Sequence, residues 1–256
     1  MTRRRFYAPP IAFSDDRKSV TLSAEETRHL RDVLRLRVGD EAYVFDGEGR
    51  EFRGSVVEMD RSSSVLQIIE DAQPPSPESP LHLTLAVALL KGEKFDVVVQ
   101  KATELGASCL VPLITLRADV RIHNPEDAQK KQTRWQRIAL EATKQCGRAK
   151  LIKIDAPVAF AEFAARPPVN LAVNNELCLM FSERKGIPLA DAADSIEQPS
   201  SVKAIVGSEG GWTDEEIQQA SIAQWKIVTL GGRTLRAETA AITVAALLQH
   251  RFGDLK

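Results

Sequence analysis

The pattern of apolar and polar positions divides the chain at Ala72–Pro80, where AQPPSPESP places four prolines in nine residues. Such a stretch is excluded from helix and central strand and holds a semi-rigid extended path. It sets the expected organisation: a first domain over 1–72, a linker over 73–80 and a second domain over 81–256. The first domain carries short strand-like runs at Ala42–Phe45, Phe52–Met59 and Val65–Ile69, with Gly47 and Gly49 as a turn between the first two. Ser23-Ala-Glu-Glu26 reads as a capping box opening one helix that runs to about Leu36, before Gly39. A small β-rich barrel with one helix is the economical reading. The second domain alternates. Strand-like runs at Leu81–Leu89, Cys109–Ile114, Leu151–Ile154, Val169–Val173, Leu177–Phe181, Val202–Val206 and Lys226–Leu230 are interleaved with helical patterns at Lys94–Leu105, Ala128–Cys146 and Asp214–Ala223. Apolar strands with helices between them predict a mostly parallel α/β sheet.

Composition narrows the class. Among 256 residues, 43% are apolar and 27% charged, which is ordinary globular usage and excludes disorder and fibrous repeats. The longest strongly apolar run, Leu83–Leu90, is too short to span a bilayer, so no membrane partner is expected. The basic N-terminus lacks an apolar stretch after it, which argues against a signal peptide. Cys109, Cys146 and Cys178 stand alone, without paired or histidine neighbours at ligand spacing. No disulfide framework and no metal site is expected, and a cytoplasmic location follows. His29, His82, His123 and His250 form no cluster and receive no catalytic part.

Net charge is −1, yet its distribution is uneven. Between Arg117 and Lys153 there are ten basic residues against four acidic, a local basic surface on a nearly neutral chain. On a helix over 128–148, Trp135, Ile138, Ala139, Ala142 and Cys146 share one face. Lys130, Arg134, Arg137, Lys144 and Arg148 stripe the opposite one. Charge alone leaves that stripe a solvated face. A second cluster, Arg3, Arg4, Arg5, Arg28, Arg31, Arg35 and Arg37, lies in a first domain that holds 12 basic and 14 acidic residues, so the domain is patchy rather than basic.

Two loops carry the candidate chemistry. In VKAIVGSEGGWTDEE (202–216) a strand ends in a glycine-rich loop, and Thr213-x-x-Glu216 caps a new helix. Glu209, Asp214, Glu215 and Glu216 would repel a phosphate, so the ligand should be neutral or locally cationic. In KIVTLGGRTLRAETA (226–240) a second strand ends at a glycine pair before an alanine-rich helix reaching about His250. Arg233, Arg236 and Glu238 crowd its entry, as a ligand site or as an arginine–glutamate brace for the loop.

GSEGG at 207–211 followed by LGGRTLRAETA at 230–240 resembles the paired signature of the SPOUT RNA methyltransferases. With HLRDVLRLRVGD (29–40), KGEKFDVVVQKATELGASCLVPL (91–113) and RWQRIALEATKQCGR (134–148), the chain is similar to the ribosomal RNA small subunit methyltransferase E family over nearly its whole length. The family more often has proline in place of Ser208 and isoleucine in place of Thr234. The resemblance implies a PUA-like β-barrel, then a trefoil-knotted, parallel-sheet SPOUT domain, in a homodimer. It implies S-adenosylmethionine as cofactor and N3 of a uridine in 16S ribosomal RNA, free or in the assembled small subunit, as substrate. The implied cofactor residues are Phe181, Ser182, Val206, Gly207, Gly210, Gly211, Leu230, Gly231, Thr234, Leu235 and Thr239. Arg236 or Arg233 would stabilise the uridine imidate, and Glu209 or Glu238 would serve as base, though either carboxylate could instead brace an arginine. Implied RNA contacts are Arg3, Arg4, Arg5, Arg31, Arg35, Lys91, Lys94, Arg134, Arg137, Lys144 and Arg148.

Overall fold

The computed structural model describes residues 3–165, 175–194 and 196–256. The chain forms two compact units, Met1–Glu78 with Thr143–Leu151, and Ser79–Ala142 with Ile152–Lys256. The division falls at Glu78/Ser79, within the proline-rich segment, and a later segment, Thr143–Leu151, also belongs to the first unit.

The first unit is a five-stranded sheet in the order β1 (Arg5–Tyr7), β3 (Glu41–Phe45), β4 (Glu51–Met59), β5 (Ser64–Ala72), β2 (Ser19–Leu22). Only β1 and β3 pair in parallel; the β3–β4, β4–β5 and β5–β2 ladders are antiparallel. Register shifts at Arg53/Gly54 and Val56/Glu58 bend the long central pair. Its inner face buries Phe6, Val20, Leu22, Leu30, Val44, Phe52 and Leu66. The short strands β1 and β2 escape a sequence reading because three or four residues carry too little alternation.

The helix after Ser23 is shorter than the pattern predicts. α1 (Ala24–Arg28) runs into a π-helical turn, His29–Val33, and the chain leaves it with Arg35 at φ +55. Ser23 accepts the Glu26 backbone N–H at 3.3 Å, but the box is only half formed. The Glu26 carboxylate turns away to pair with Lys144 and to accept the Tyr7 N–H at 3.4 Å. A buried carboxylate goes to the cation that neutralises it.

The second unit is an eight-stranded sheet, parallel at every strand pairing among the described residues. Its order is β11 (Ile187–Pro188), β13 (Lys226–Thr229), β10 (Glu176–Phe181), β12 (Ser201–Val206), β6 (His82–Ala88), β7 (Cys109–Ile114), β8 (Lys153–Ile154), with β9 (Val158–Ala159) also beside β7. Both faces are covered. On one, Leu83, Leu85 and Val87 join Phe95, Val98 and Val99 of α2 (Lys94–Glu104) and Trp135 and Ala139 of α3 (Pro125–Cys146). Ala241, Val244 and Leu248 of the last helix, Ala237–Phe252, complete that layer. On the other, Ala86, Met180 and Ile205 meet Phe160 and Phe163 of α4 (Phe160–Ala165), together with Trp212 and Trp225. Two-sided burial is why these strands read as continuous apolar runs. The helix expected from Asp214 is present over Asp214–Ile222, and a five-residue helix, Leu189–Ala193, precedes it. In chain order these are α5 (Leu189–Ala193), α6 (Asp214–Ile222) and α7 (Ala237–Phe252).

The strand expected at Leu151–Ile154 shrinks to Lys153–Ile154, because the Leu151 N–H is taken by Gly47 O at 2.9 Å in the first unit. The run Val169–Val173 lies outside the described residues.

Candidate functional site

Three adjacent strands, β13, β10 and β12, end side by side and feed three loops, 182–186 after Phe181, 207–213 after Val206 and 230–236 after Thr229. Parallel order brings these C-terminal ends to one edge, where α/β sheets present their ligand loops. Between the loops lies a cavity of about 470 Å³. Of the expected cofactor residues, Phe181, Ser182, Val206, Gly207, Gly210, Gly211, Leu230, Gly231, Thr234 and Leu235 all line it. Thr239 does not: it is exposed, past the first residues of α7.

The two loops are tied at their base. Trp212 is buried and donates its indole N–H to Phe181 O at 2.8 Å. Thr213 and Glu216 form a complete capping box at the start of α6, and Glu216 also accepts the Leu116 N–H at 3.0 Å. The 207–213 loop is thus anchored to the ends of both β10 and β7.

The glycines divide into two kinds. A Cβ on Gly210 would lie 2.7 Å from Arg117 O, so its smallness serves packing against the 115–119 segment rather than approach to a ligand. Gly231 stands at φ +108 with nothing within 4 Å of an added Cβ, so there the backbone conformation requires glycine and space does not.

Arg233 and Arg236 both line the cavity and are exposed, and their guanidiniums make no hydrogen bond or ion pair among the described residues. The arginine–glutamate brace is therefore not formed. Glu209 lines the cavity and bonds Lys94 Nζ through Oε1 at 2.7 Å. Glu238 is partly buried in the first turn of α7, outside the cavity lining, with Oε2 buried and without a hydrogen-bond partner among the described residues.

Sequence reasoning missed Glu183, Ser208, Thr229, Ala237 and Ala240, which also line the cavity. Ser208 is buried, and its Oγ has no hydrogen-bond partner among the described residues. Glu183 and Ser208 sit within two residues of an expected site residue, so the signal was adjacency to the strand end.

The basic residues separate by burial. Arg148 is 4% exposed and bonds Glu78 at 2.6 Å, so it leaves the expected exposed stripe: it follows the helix end and turns inward. Lys144 is likewise drawn to Glu26, its side chain 17% exposed. Arg5 is interior as well; it pairs with Glu51 at 2.8 Å and donates to the carbonyls of Lys144 and Arg148. These three fasten Thr143–Leu151 within the first unit, a structural task that a charge count cannot distinguish from a binding surface. Arg3 pairs with Glu51 and lies over Tyr43, and Arg31 pairs with Asp32. Arg4, Arg35 and Arg137 are exposed. Arg134 is exposed and pairs with Asp96, and Lys91 pairs with Asp119 at 2.8 Å. Among the described residues no group of His, Cys, Asp and Glu could hold a metal, and no helix is long and apolar enough to cross a membrane.

A family model described as RNA methyltransferase domain matches residues 77–249, and one described as RNA methyltransferase PUA domain matches 22–69. Ribosomal RNA small subunit methyltransferase E of Synechocystis sp. is 35% identical over 229 residues, covering 89% of this chain and 72% of the relative. The chain belongs to the ribosomal RNA small subunit methyltransferase E family. Two solved structures extend the likeness over the full length. A Legionella pneumophila methyltransferase, crystallised with its cofactor SAM, has a TM-score of 0.87 at 34% identity, covering 100% of both chains. The Neisseria gonorrhoeae ribosomal RNA small subunit methyltransferase E, bound to S-adenosyl methionine, has a TM-score of 0.86 at 32% identity, covering 99% of this chain and 100% of that one. The PUA match lies within the first unit, and the RNA methyltransferase match spans the second as far as Gln249 and takes in Thr143–Leu151 of the first.

Proposed function

We propose that the protein transfers a methyl group from S-adenosylmethionine to N3 of a uridine in 16S ribosomal RNA. The observation that carries this reading is a glycine-lined cavity at three parallel strand ends, with two unpaired arginines at its rim. The residues fit the cofactor. Phe181, Val206, Leu230 and Leu235 offer apolar walls for an adenine, loop backbone offers donors and acceptors, and the orphan Ser208 Oγ offers one more. No phosphate cradle is needed. When bound, S-adenosylmethionine supplies the electrophilic methyl group.

The chain's own residues must hold uridine N3 in line, accept its proton, and stabilise the imidate that results. Positioning supplies much of the acceleration. Arg236 and Arg233 have uncommitted guanidiniums beside the cavity and take the electrostatic task at O4 or O2. Glu209 faces the same cavity and keeps Oε2 outside its bond to Lys94, so it is the better placed proton acceptor. Glu238 lies off the lining, and its role is to favour the α7 N-terminus. The exposed Arg4, Arg35, Lys91, Arg134 and Arg137, with Arg3, Arg31 and Lys94, are the cations left for RNA phosphates.

The trefoil knot, the homodimer and the cytoplasmic location belong to the same reading and rest on the family resemblance. Light scattering at micromolar concentration tests the dimer. Nucleoside mass spectrometry of 16S rRNA from a deletion strain tests the substrate. N3-methyluridine lost on deletion and restored by the gene is expected; an unchanged level refutes the reading.

A further inference from the structure

The cavity holds two carboxylates and two guanidiniums, and their surroundings differ. Glu209 already bonds an ammonium, that of Lys94, at 2.7 Å. Glu183, the second residue past the end of β10, lines the same cavity from the opposite loop. Its counter-charge is the neighbouring Arg184, whose Nε lies 3.3 Å away. That guanidinium is shared: it also donates to Trp212 O and lies 3.9 Å from Asp214. Glu183 is therefore the less fully compensated of the two carboxylates.

The 207–213 loop makes room for it. Gly211 is held at φ +65, and a Cβ there would collide with the Glu183 carboxylate. One glycine thus satisfies a left-handed turn and seats an acidic group at the cavity edge.

We propose that Glu183 reads the positive charge on the methionine part of the cofactor, an inference that rests on the S-adenosylmethionine reading of this cavity. That ligand carries an ammonium and a sulfonium against one carboxylate. A cavity offering only Arg233 and Arg236 as uncommitted charges would repel it. A carboxylate on the facing loop corrects the balance and orients the chain that ends in the transferable methyl group. The Glu183 side chain retains 34% of its accessibility, so solvent screens the interaction and the effect is moderate.

Calorimetry on the full chain, wild type and Glu183→Gln, with three probes decides the matter. The probes are S-adenosylmethionine, S-adenosylhomocysteine, which lacks the sulfonium, and 5′-methylthioadenosine, which lacks both cations. For S-adenosylmethionine the variant should bind about tenfold more weakly, with 5′-methylthioadenosine unchanged. Equal weakening of S-adenosylhomocysteine places the contact at the ammonium; weakening of S-adenosylmethionine alone places it at the sulfonium. Unchanged binding of all three, or equal loss of all three, overturns the proposal, the second because Glu183 would then only shape the cavity. If Glu183→Gln does not fold, Glu183→Ala, equally uncharged, is judged on the same three ligands by the same pattern. A wild type that binds none of them refutes the cofactor reading itself.

Discussion

The indole N–H of Trp212 donates to the carbonyl of Phe181 at 2.8 Å, joining the loop that follows β12 to the last residue of β10. The indole packs against Phe160, ring centroids 5.1 Å apart, and a Cβ on Gly207 would stand 3.0 Å from its ring. One buried side chain, outside the cavity lining, therefore ties the loop after β12 to the end of β10. Trp212→Phe removes the bond and leaves a buried carbonyl unpaired. It should cost about 1–3 kcal/mol in urea unfolding and weaken cofactor binding at the same time. Loss of stability without loss of affinity would separate this tie from the site.

Arg236 lines the cavity without a partner, so its removal should leave the fold intact. Arg236→Ala is expected to lower kcat by about 10²–10³, with little change in cofactor or RNA affinity, because the imidate of the proposed reaction exists only along its path. Arg236→Lys should recover little if the planar fork matters. Single-turnover rates at saturating RNA measure this; a near-normal rate would transfer the role to Arg233.

The two loop glycines should fail differently. Gly210→Ala drives a methyl group toward Arg117 O, 2.7 Å from the Cβ position, and should displace the loop, lowering stability and affinity together. Gly231→Ala meets open space but strains φ +108, so a cost of about 1 kcal/mol is expected. Thermal melts with and without S-adenosylmethionine distinguish them.

Arg148 and Arg134 were one stripe in sequence and are two groups in space. Arg148→Ala breaks a pair with Glu78 in which the arginine side chain is 5% exposed, and should destabilise the protein by about 3 kcal/mol. Charge reversal of Arg134 and Arg137, both exposed, should flatten the salt dependence of RNA binding, at a modest cost in stability because the Arg134–Asp96 pair is lost. An unaltered salt slope would make that face merely solvated.

Burial, then the neighbouring carboxylates Asp155 and Glu176, pushes the thiols of Cys109 and Cys178 up to about 12. Both should resist alkylation at pH 8 in the folded state. The sign for stability follows from proton counts. Above the ordinary thiol value of about 9 the unfolded chain releases protons that the native state keeps, so stability is full below that pH and falls as pH rises toward 12. The slope is up to about 1.4 kcal/mol per pH unit for each thiol. Urea midpoints between pH 8 and 10.5 should fall less steeply in Cys178→Ala than in wild type.

Local pattern was enough for much of this molecule. Strands such as Cys109–Ile114 are buried on both faces and so appear as unbroken apolar runs, and Thr213 with Glu216 forms its cap from residues three apart. The glycine loops after Val206 and Leu230 were legible as ligand loops because glycine and charge at a strand end have few other uses. Partnerships across the chain were not legible. Whether Glu26 would complete its capping box or answer Lys144 depends on a residue 118 positions away. Whether Arg148 faces solvent or Glu78 depends on the chain turning inward after Gly147. Glu183 entered the site only because parallel order sets β10 beside β12, which brings its carboxylate against Gly211. Periodicity reports which face of an element is buried, since burial repeats with the element's own geometry. It carries no record of which distant charge a side chain will meet, because desolvation and pairing are settled only when the tertiary structure brings the two together.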